Sequence, residues 1–176
     1  LGWIGKNSNL INTKQGSWFV LGHLLCTEPL TPDNPSTPLC GKCQKCLELC
    51  PTNAITEPFV IDSNKCIAYH TIENREKDLP VYIKNSMKNW IAGCDICQEV
   101  CPWNHSNIPI SKDQDVQPRK WVLNLKENNL REWNEQTWKE NLRGSALKRI
   151  KPWMWKRNAN SINYNNKYSK PENGIK

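Results

Sequence analysis

The chain has 176 residues, 38% of them hydrophobic, and a formal net charge of +7. It contains no apolar run of the roughly 18 residues that a membrane-spanning helix needs. Residues 1–20 also lack the basic-then-apolar layout of a secretory signal. We therefore expect a cytoplasmic protein with no membrane partner, built as one domain or two small ones.

Positive charge is concentrated in the C-terminal part of the chain. Residues 102–176 hold 15 Lys and Arg against 7 Asp and Glu, whereas residues 1–101 hold 9 against 10. A basic segment of this kind favours an anionic partner, and nucleic acid is the first candidate.

The first 39 residues predict the end of a larger unit followed by a linker. Residues 10–12, a polar turn at 13–16 and the apolar run 17–21 have the pattern of a β-hairpin. Residues 27–39 contain four prolines among polar residues, which favours a linker because proline suits neither a helix interior nor a central strand. Since the chain opens at Leu1 on a glycine-rich turn, we expect it to be part of a longer protein.

The rest of the chain predicts short elements. Residues 40–66 have the pattern of a short helix followed by a small β-hairpin, and residues 81–90 that of a helix. Further helical signal occurs at 129–141 and at 145–156. Residues 158–176 are rich in Asn and have little apolar periodicity, so we expect a frayed tail there.

Nine cysteines in a cytosolic chain indicate metal or redox chemistry, because intracellular thiols are kept reduced. Residues 40–51 read C-x2-C-x2-C-x3-C-P, the bacterial ferredoxin run whose fourth cysteine ligates the other of two clusters. Residues 94–102 repeat this run without its first cysteine, since Ile91 stands in that position. Cys66, which lies between the two runs, is the expected replacement.

The pattern therefore predicts two 4Fe-4S clusters with crossed ligation. The first is assigned to Cys40, Cys43, Cys46 and Cys101, and the second to Cys50, Cys66, Cys94 and Cys97. A pair of structural zinc sites is the alternative, because C-x2-C is also zinc-knuckle spacing. The unbroken run of four cysteines and the two x3-C-P endings favour iron–sulfur. Cys26 lies outside both runs and is expected to be a buried, unreactive thiol.

Segments on both sides of the cysteines carry a family resemblance. They read LGWIGKNSNLIN, GSWF, NKCIAYHTIE, WIAGCDICQEVCPWN and GSALKR, with Arg157-Asn158 after the last. In this order they resemble epoxyqueuosine reductase. The resemblance implies an enzyme that reduces epoxyqueuosine in tRNA to queuosine, with electrons passing through two 4Fe-4S clusters to cobalamin.

The resemblance also implies an α+β architecture in three parts. Residues 1–35 would be the end of a cobalamin-binding α/β domain with its linker, residues 36–110 a ferredoxin-like domain with two 4Fe-4S clusters, and residues 111–176 a basic helical region with a frayed tail. The family's proton-donating aspartate lies upstream of the turn that opens this chain. No catalytic residue is therefore carried over, and we expect no turnover by these residues alone.

Two sets of contacts are expected, the first from position within the family and the second mainly from the positive charge of the C-terminal region. Cobalamin contacts are expected at Asn9, Leu10, Ser17, Ala68, Tyr69 and Asp95, for each of which ordinary turn or core packing is the alternative. Contacts to tRNA are expected at Arg143, Lys148, Arg149, Lys156 and Arg157, where cations would neutralise phosphates, and a solvated helical face is the alternative. Trp153 and Trp155 are expected to lie mainly in the core.

Two other functions remain open from the sequence. A stand-alone two-cluster ferredoxin-like carrier would explain residues 40–102 but not the flanking segments. A cobalamin-dependent reductive dehalogenase would have similar clusters, but it would be expected to carry an export signal and long insertions. The favoured hypothesis is a monomeric reductase that receives electrons from an external donor.

Overall fold

The computed structural model describes residues 1–105, 108–125 and 127–168. They form two compact units, the first from Leu1–Asp62 with Asp95–Ser111 and the second from Ser63–Cys94 with Lys112–Lys176. Each unit contains part of the segment predicted to be the ferredoxin-like domain. The three-part division remains a prediction.

Most elements among the described residues are short, and the last helix is the longest of them. The strands are β1 (Trp3–Ile4), β2 (Leu10–Ile11), β3 (Ile55–Glu57) and β4 (Val60–Ile61). The α-helices are α1 (Lys45–Glu48), α2 (Ile67–Ile72), α3 (Val81–Ser86), α4 (Ile96–Glu99), α5 (Lys120–Leu123), α6 (Glu127–Glu132), α7 (Glu135–Asn141) and α8 (Pro152–Tyr168). Single 3-10 turns occur at Ser63–Lys65, Pro102–Asn104, Gln114–Val116 and Ala146–Arg149. This mixture agrees with the predicted α+β class.

The first unit contains two antiparallel hairpins, β1–β2 and β3–β4. The predicted pairing of residues 10–12 with 17–21 is wrong, because β2 pairs with β1 and Trp3 lies opposite Ile11. The polar turn does close through a backbone bridge between Asn12 and Gly16. The chain then leaves the hairpin because the Ser17 amide donates to the Asn104 side chain at 2.7 Å.

The elements around the first cysteine run match their predictions. α1 is a single helical turn, and β3 and β4 form the small hairpin expected before residue 66. Residues 27–39 contain no helix or strand, as expected for a proline-rich linker.

The core of the second unit lies where α8 packs against α6 and α7. Met154 and Trp155 of α8 are buried with Leu130, Trp138 and Leu142. The Trp138 indole satisfies its N–H by donating to the Ile150 carbonyl at 2.7 Å. The indole can therefore be buried without losing a hydrogen bond.

The predicted frayed tail is wrong for residues 158–168, since α8 continues to Tyr168. Asn158, Ala159, Ser161 and Ile162 are buried, so the helix is held by packing that Asn-rich composition does not reveal. Residues 169–176 lie outside the described residues.

The other predicted helices differ in their bounds. The helix expected at 81–90 ends at Ser86, and the one expected at 129–141 is divided into α6 and α7. The division falls at Asn134, whose side chain accepts from the Thr137 amide and caps α7. The segment 145–156 is likewise divided, because Pro152 begins α8 at the helix position that proline favours.

Within the described ranges, no helix has the length and apolar character needed to cross a bilayer.

Candidate metal centre

Four cysteine thiols of the first unit border a cavity of about 220 Å³. They belong to Cys40, Cys43, Cys46 and Cys101, which are the residues predicted to hold the first cluster. In the part of the chain that the structure describes, no three His, Cys, Asp or Glu side chains are grouped as ligands of one metal ion. The four thiols instead enclose a space, which suits a cluster bound by four cysteines.

A tight turn and a short helix bring three of these thiols together. The Cys43 amide donates to the Cys40 carbonyl at 3.0 Å, and Gly41 between them has φ of 51°. Glycine adopts this left-handed conformation without a Cβ penalty. α1 then carries Cys46, and α1 packs against α4, after which Cys101 follows.

The four sulfurs are close enough to influence one another's protonation. Burial raises the pKa of the Cys46 thiol, and the nearby Cys101, Cys40 and Cys43 raise it further. Burial also raises the pKa of Cys101, to which Cys40 and Cys43 again contribute. Four thiolates packed in this way repel one another, and bound iron would supply the compensating positive charge.

A buried donor beside the cavity gives a second test of fit. Trp3 packs with Cys40, Cys101 and Trp103, and its ring meets that of Trp103 edge to face at 5.0 Å. Its indole N–H is buried and has no hydrogen-bond partner among the described residues. An unpaired donor of this kind calls for an acceptor, and the sulfurs of a bound cluster would provide one. The residues present therefore fit a 4Fe-4S cluster.

The four residues predicted to hold the second cluster are divided between the units, and their joint site remains a prediction. Cys50 and Cys97 belong to the first unit. Burial raises the pKa of the Cys50 thiol, but hydrogen bonds from the Thr52 and Ala54 amides outweigh this and hold it below its ordinary value. The Asn7 side chain donates to the Cys97 carbonyl at 3.1 Å.

Cys66 and Cys94 belong to the second unit. Cys66 occupies the N-cap position of α2, and Ile67 begins the buried apolar cluster against which Cys94 packs. The Gly93 amide donates to the Thr71 hydroxyl at 3.0 Å. The segment that leads into Cys94 is therefore tied to the helix that follows Cys66.

The expected cobalamin residues of the first unit lie near the second cysteine run. The Ser17 hydroxyl donates to the Gln98 side chain at 2.8 Å, and Gln98 donates to Asp95 at 2.7 Å. The Asn104 side chain donates to Ser17 at 2.8 Å. Sequence reasoning missed Gln98 and Asn104, although both lie in the WIAGCDICQEVCPWN segment that carried part of the resemblance.

The other expected cobalamin residues have ordinary surroundings. Asn9 approaches the Cys97 sulfur with its side-chain nitrogen at 4.0 Å, and Leu10 belongs to β2. Ala68 and Tyr69 lie on α2 of the second unit. Contacts of these residues to cobalamin remain predictions.

The expected tRNA residues differ in their exposure to solvent. Arg143, Lys148 and Lys156 are exposed. Arg149 is also at the surface but forms an ion pair with Glu73.

Arg157 is only 6% exposed, so its assignment as a tRNA contact is wrong. It donates to the carbonyls of His70, Asn74 and Glu76 at 2.8, 2.8 and 2.6 Å. Burial, with the nearby Arg75 charge, lowers the pKa of Arg157 to about 10. Arg157 is therefore an interior residue, and hydrogen bonds to three carbonyl oxygens stabilise its positive charge.

Cys26 also differs from its prediction. Its thiol is exposed, not buried, and it donates weakly to the Glu28 carbonyl at 3.7 Å. The surrounding segment has no helix or strand that would bury the side chain.

Comparisons with known proteins agree with the cysteine geometry. Residues 39–104 match the family described as the 4Fe-4S double cluster binding domain, which favours iron–sulfur over zinc. An epoxyqueuosine reductase of Synechococcus sp. (strain CC9605) is 60% identical over 159 residues, which are 90% of this chain and 50% of that protein. The chain thus spans about half the length of the curated relatives it matches.

Solved structures give the same assignment. A selenomethionine-labelled epoxyqueuosine reductase superposes with a TM-score of 0.83 and 27% identity, covering 92% of this chain and 42% of that one. An epoxyqueuosine reductase bound to an epoxyqueuosine-modified tRNA-Tyr stem loop gives 0.75 and 26% over the same shares. In sequence, in fold and in its match to the cluster domain, this chain is similar to epoxyqueuosine reductases over about half of their length.

Proposed function

We propose that this chain provides the iron–sulfur half of an enzyme that reduces epoxyqueuosine in tRNA to queuosine. One observation carries the proposal: four thiols from two separated cysteine runs converge on one cavity, in a chain 60% identical to an epoxyqueuosine reductase. This chain spans about half the length of such relatives. The complete activity is therefore proposed for a protein that has the full length of these relatives.

The residues of the first unit would hold the first cluster and limit its access to water. The thiolates of Cys40, Cys43, Cys46 and Cys101 would bind the irons. Ile11 is buried and lines the cavity, and the buried Trp3 packs against Cys40 and Cys101, so these two side chains limit the access of water from one side. The Trp3 indole would donate its free N–H to a sulfur, which stabilises negative charge there.

When bound, the clusters supply single electrons and cobalamin supplies the reactive cobalt. The protein's part is to hold these groups in a fixed arrangement. The hydrogen-bonded set formed by Ser17, Asp95, Gln98 and Asn104 ties the β1–β2 region to the second cysteine run. We propose that this set holds the segment that carries Cys97 and Cys101 beside the residues of the first unit at which cobalamin contacts are expected.

We further propose that exposed cations of the second unit bind the tRNA backbone. Lys148 and Lys151 are exposed, and the ammonium of each lies 5.5 Å from the centre of the Trp138 ring. Arg143 and Lys156 are exposed as well. Trp153 is 42% exposed, so part of its ring is available to stack on an unpaired base.

Epoxide reduction can be tested in a chimera. The matching residues of the Synechococcus relative are replaced by this sequence, and the protein is supplied with cobalamin, a strong reductant and tRNA containing epoxyqueuosine. We expect queuosine to form, as measured by mass spectrometry of the tRNA nucleosides, and Cys101→Ala to abolish its formation.

A chimera that binds both clusters and cobalamin but forms no queuosine would contradict the proposed function. That result would favour the stand-alone electron carrier. The unmodified Synechococcus enzyme serves as the positive control, since it differs only in the exchanged residues.

Affinity for tRNA should depend on the exposed lysines. We expect Lys148→Glu with Lys151→Glu to weaken binding of a tRNA stem loop and to reduce the slope of log affinity against log salt by about one for each lysine. Fluorescence anisotropy at several salt concentrations measures both quantities. Lys14→Glu is the control, because Lys14 is exposed but lies outside the basic segment. Equal effects at both sites would argue against a localised tRNA surface.

A further inference from the structure

The turn between β1 and β2 contacts the first cysteine run, although it lies outside the residues that match the cluster domain. The Lys6 ammonium donates to the Gly41 carbonyl at 2.8 Å and to the Cys43 carbonyl at 2.9 Å. Lys6 also lines the cavity bordered by the four thiols. A positive charge is thus fixed at the edge of the candidate cluster site.

The backbone of this turn is anchored independently of the cysteine run. The Gly5 amide donates to the Asn9 carbonyl at 2.8 Å, and the Ser8 amide donates to the Gly5 carbonyl at 2.8 Å. The Lys6 carbonyl accepts from the Phe59 amide at 3.0 Å. Because both ends of the Lys6 side chain are held, its charge does not move freely into solvent.

The second cysteine run receives neutral donors from the same turn. The Asn7 side chain donates to the Cys97 carbonyl, and the side-chain nitrogen of Asn9 lies 4.0 Å from the Cys97 sulfur. The turn therefore presents a cation to the first run and amide groups to the second.

A fixed cation has a definite effect on a redox centre. One-electron reduction adds a negative charge to a 4Fe-4S cluster, and a nearby positive charge stabilises the reduced form more than the oxidised form. The effect is larger where water is partly excluded, because screening by solvent is weaker.

We propose that Lys6 raises the reduction potential of the cluster held by Cys40, Cys43, Cys46 and Cys101. Lys6 is a positioning residue, since it acts through its charge and through the loop carbonyls and not as a ligand. The inference rests on the proposed occupancy of that site by a 4Fe-4S cluster.

The test is a redox titration of the chain after its iron–sulfur clusters have been reconstituted. The reduced clusters are detected by electron paramagnetic resonance. In Lys6→Met we expect one of two midpoint potentials to fall by about 59 mV or more, which is a tenfold change in the ratio of reduced to oxidised cluster for one electron. Lys6→Arg, which keeps the charge, should retain the original potential. Lys42→Met is the matched control, because Lys42 lies in the same loop with an exposed side chain, and its shift should be smaller.

Iron and sulfide analysis separates the two hypotheses. If the unaltered chain binds no clusters, the proposed occupancy is wrong. If both clusters are present and Lys6→Met changes neither potential, or changes it no more than Lys42→Met, the role of Lys6 is wrong. If Lys6→Met loses a cluster, the comparison is made in Lys6→Gln, which keeps a hydrogen-bond donor without the charge, and an unchanged potential there overturns the inference.

Discussion

Replacing Cys101 by alanine should remove about four of about eight irons from the anaerobically reconstituted chain. Cys101 belongs to the second cysteine run, yet its thiol borders the cavity formed by Cys40, Cys43 and Cys46. Loss of one of four thiolates leaves a cubane open to solvent and prone to release its iron. The measurement is iron and sulfide content per chain, with the visible absorption of the remaining cluster.

A matched control distinguishes ligation from general loss of a thiol. Cys26→Ala should retain the full iron content, because the Cys26 thiol is exposed and lies outside both runs. If Cys26→Ala lost as much iron as Cys101→Ala, the loss of iron would not depend on whether the missing thiol borders the cavity.

Double variants then test which thiols share a cluster. If Cys43 and Cys101 bind the same cluster, Cys43→Ala with Cys101→Ala should lose no more iron than either single change. Cys97→Ala with Cys101→Ala should lose nearly all iron, because these two are assigned to different clusters. The reverse pattern would mean that each run binds its own cluster and that the crossed assignment is wrong.

The tight turn of the first cysteine run could be predicted from sequence because it depends on local spacing, whereas the assignment of the eight cysteines to two clusters remains a prediction. Two residues between thiols fit one tight turn, and that turn is closed here between Cys40 and Cys43. The early hairpin was mispaired for a physical reason: Trp3–Ile4 is a strand of two residues, too short to give an alternating pattern. Its pairing depends on burial of Trp3 beside the cysteines, which is a tertiary effect.

The C-terminal helix shows a different limit. Arg157 and Asn158 have the residue types of a surface, and the sequence predicts a tRNA contact at Arg157 and a frayed tail from residue 158. In the structure their polar groups meet backbone carbonyls from residues 70–76 and 91. Such long-range partners leave no periodic signal in the sequence, so burial of these two side chains could not be predicted.

The Asn158 side chain links the two segments of the second unit that carry Cys66 and Cys94, the predicted ligands of the second cluster. Its side-chain amide donates to the Thr71 carbonyl and to the Ile91 carbonyl, both at 2.8 Å. Thr71 lies in α2, which begins after Cys66, and Ile91 lies shortly before Cys94. One amide group thus holds both segments against α8.

Asn158→Leu should lower the thermal unfolding midpoint of the chain by about 6 °C or more. Leucine is similar in size, but it removes the partner of the buried Thr71 carbonyl, of the partly buried Ile91 carbonyl and of the Arg157 Nε–H, which donates to the Asn158 oxygen at 3.0 Å. Each unpaired buried group costs about 1–3 kcal/mol, and about 3 kcal/mol in total corresponds to such a shift for a protein of this size. The midpoint can be followed by circular dichroism under anaerobic conditions.

Asn160→Leu is the matched control, because Asn160 lies two residues further along α8 with an exposed side chain. Its effect should stay within about 0.5 kcal/mol, as for most surface changes. Asn158→Leu should also lose iron faster than Asn160→Leu, since the segments carrying Cys66 and Cys94 lose the hydrogen bonds to Asn158 while the surroundings of the first-unit thiols are unchanged.

Equal midpoints and equal iron-release rates in the two variants would show that Asn158 does not hold these segments in place. A lowered midpoint with unchanged iron release would confine its role to the stability of α8, independent of the second cluster.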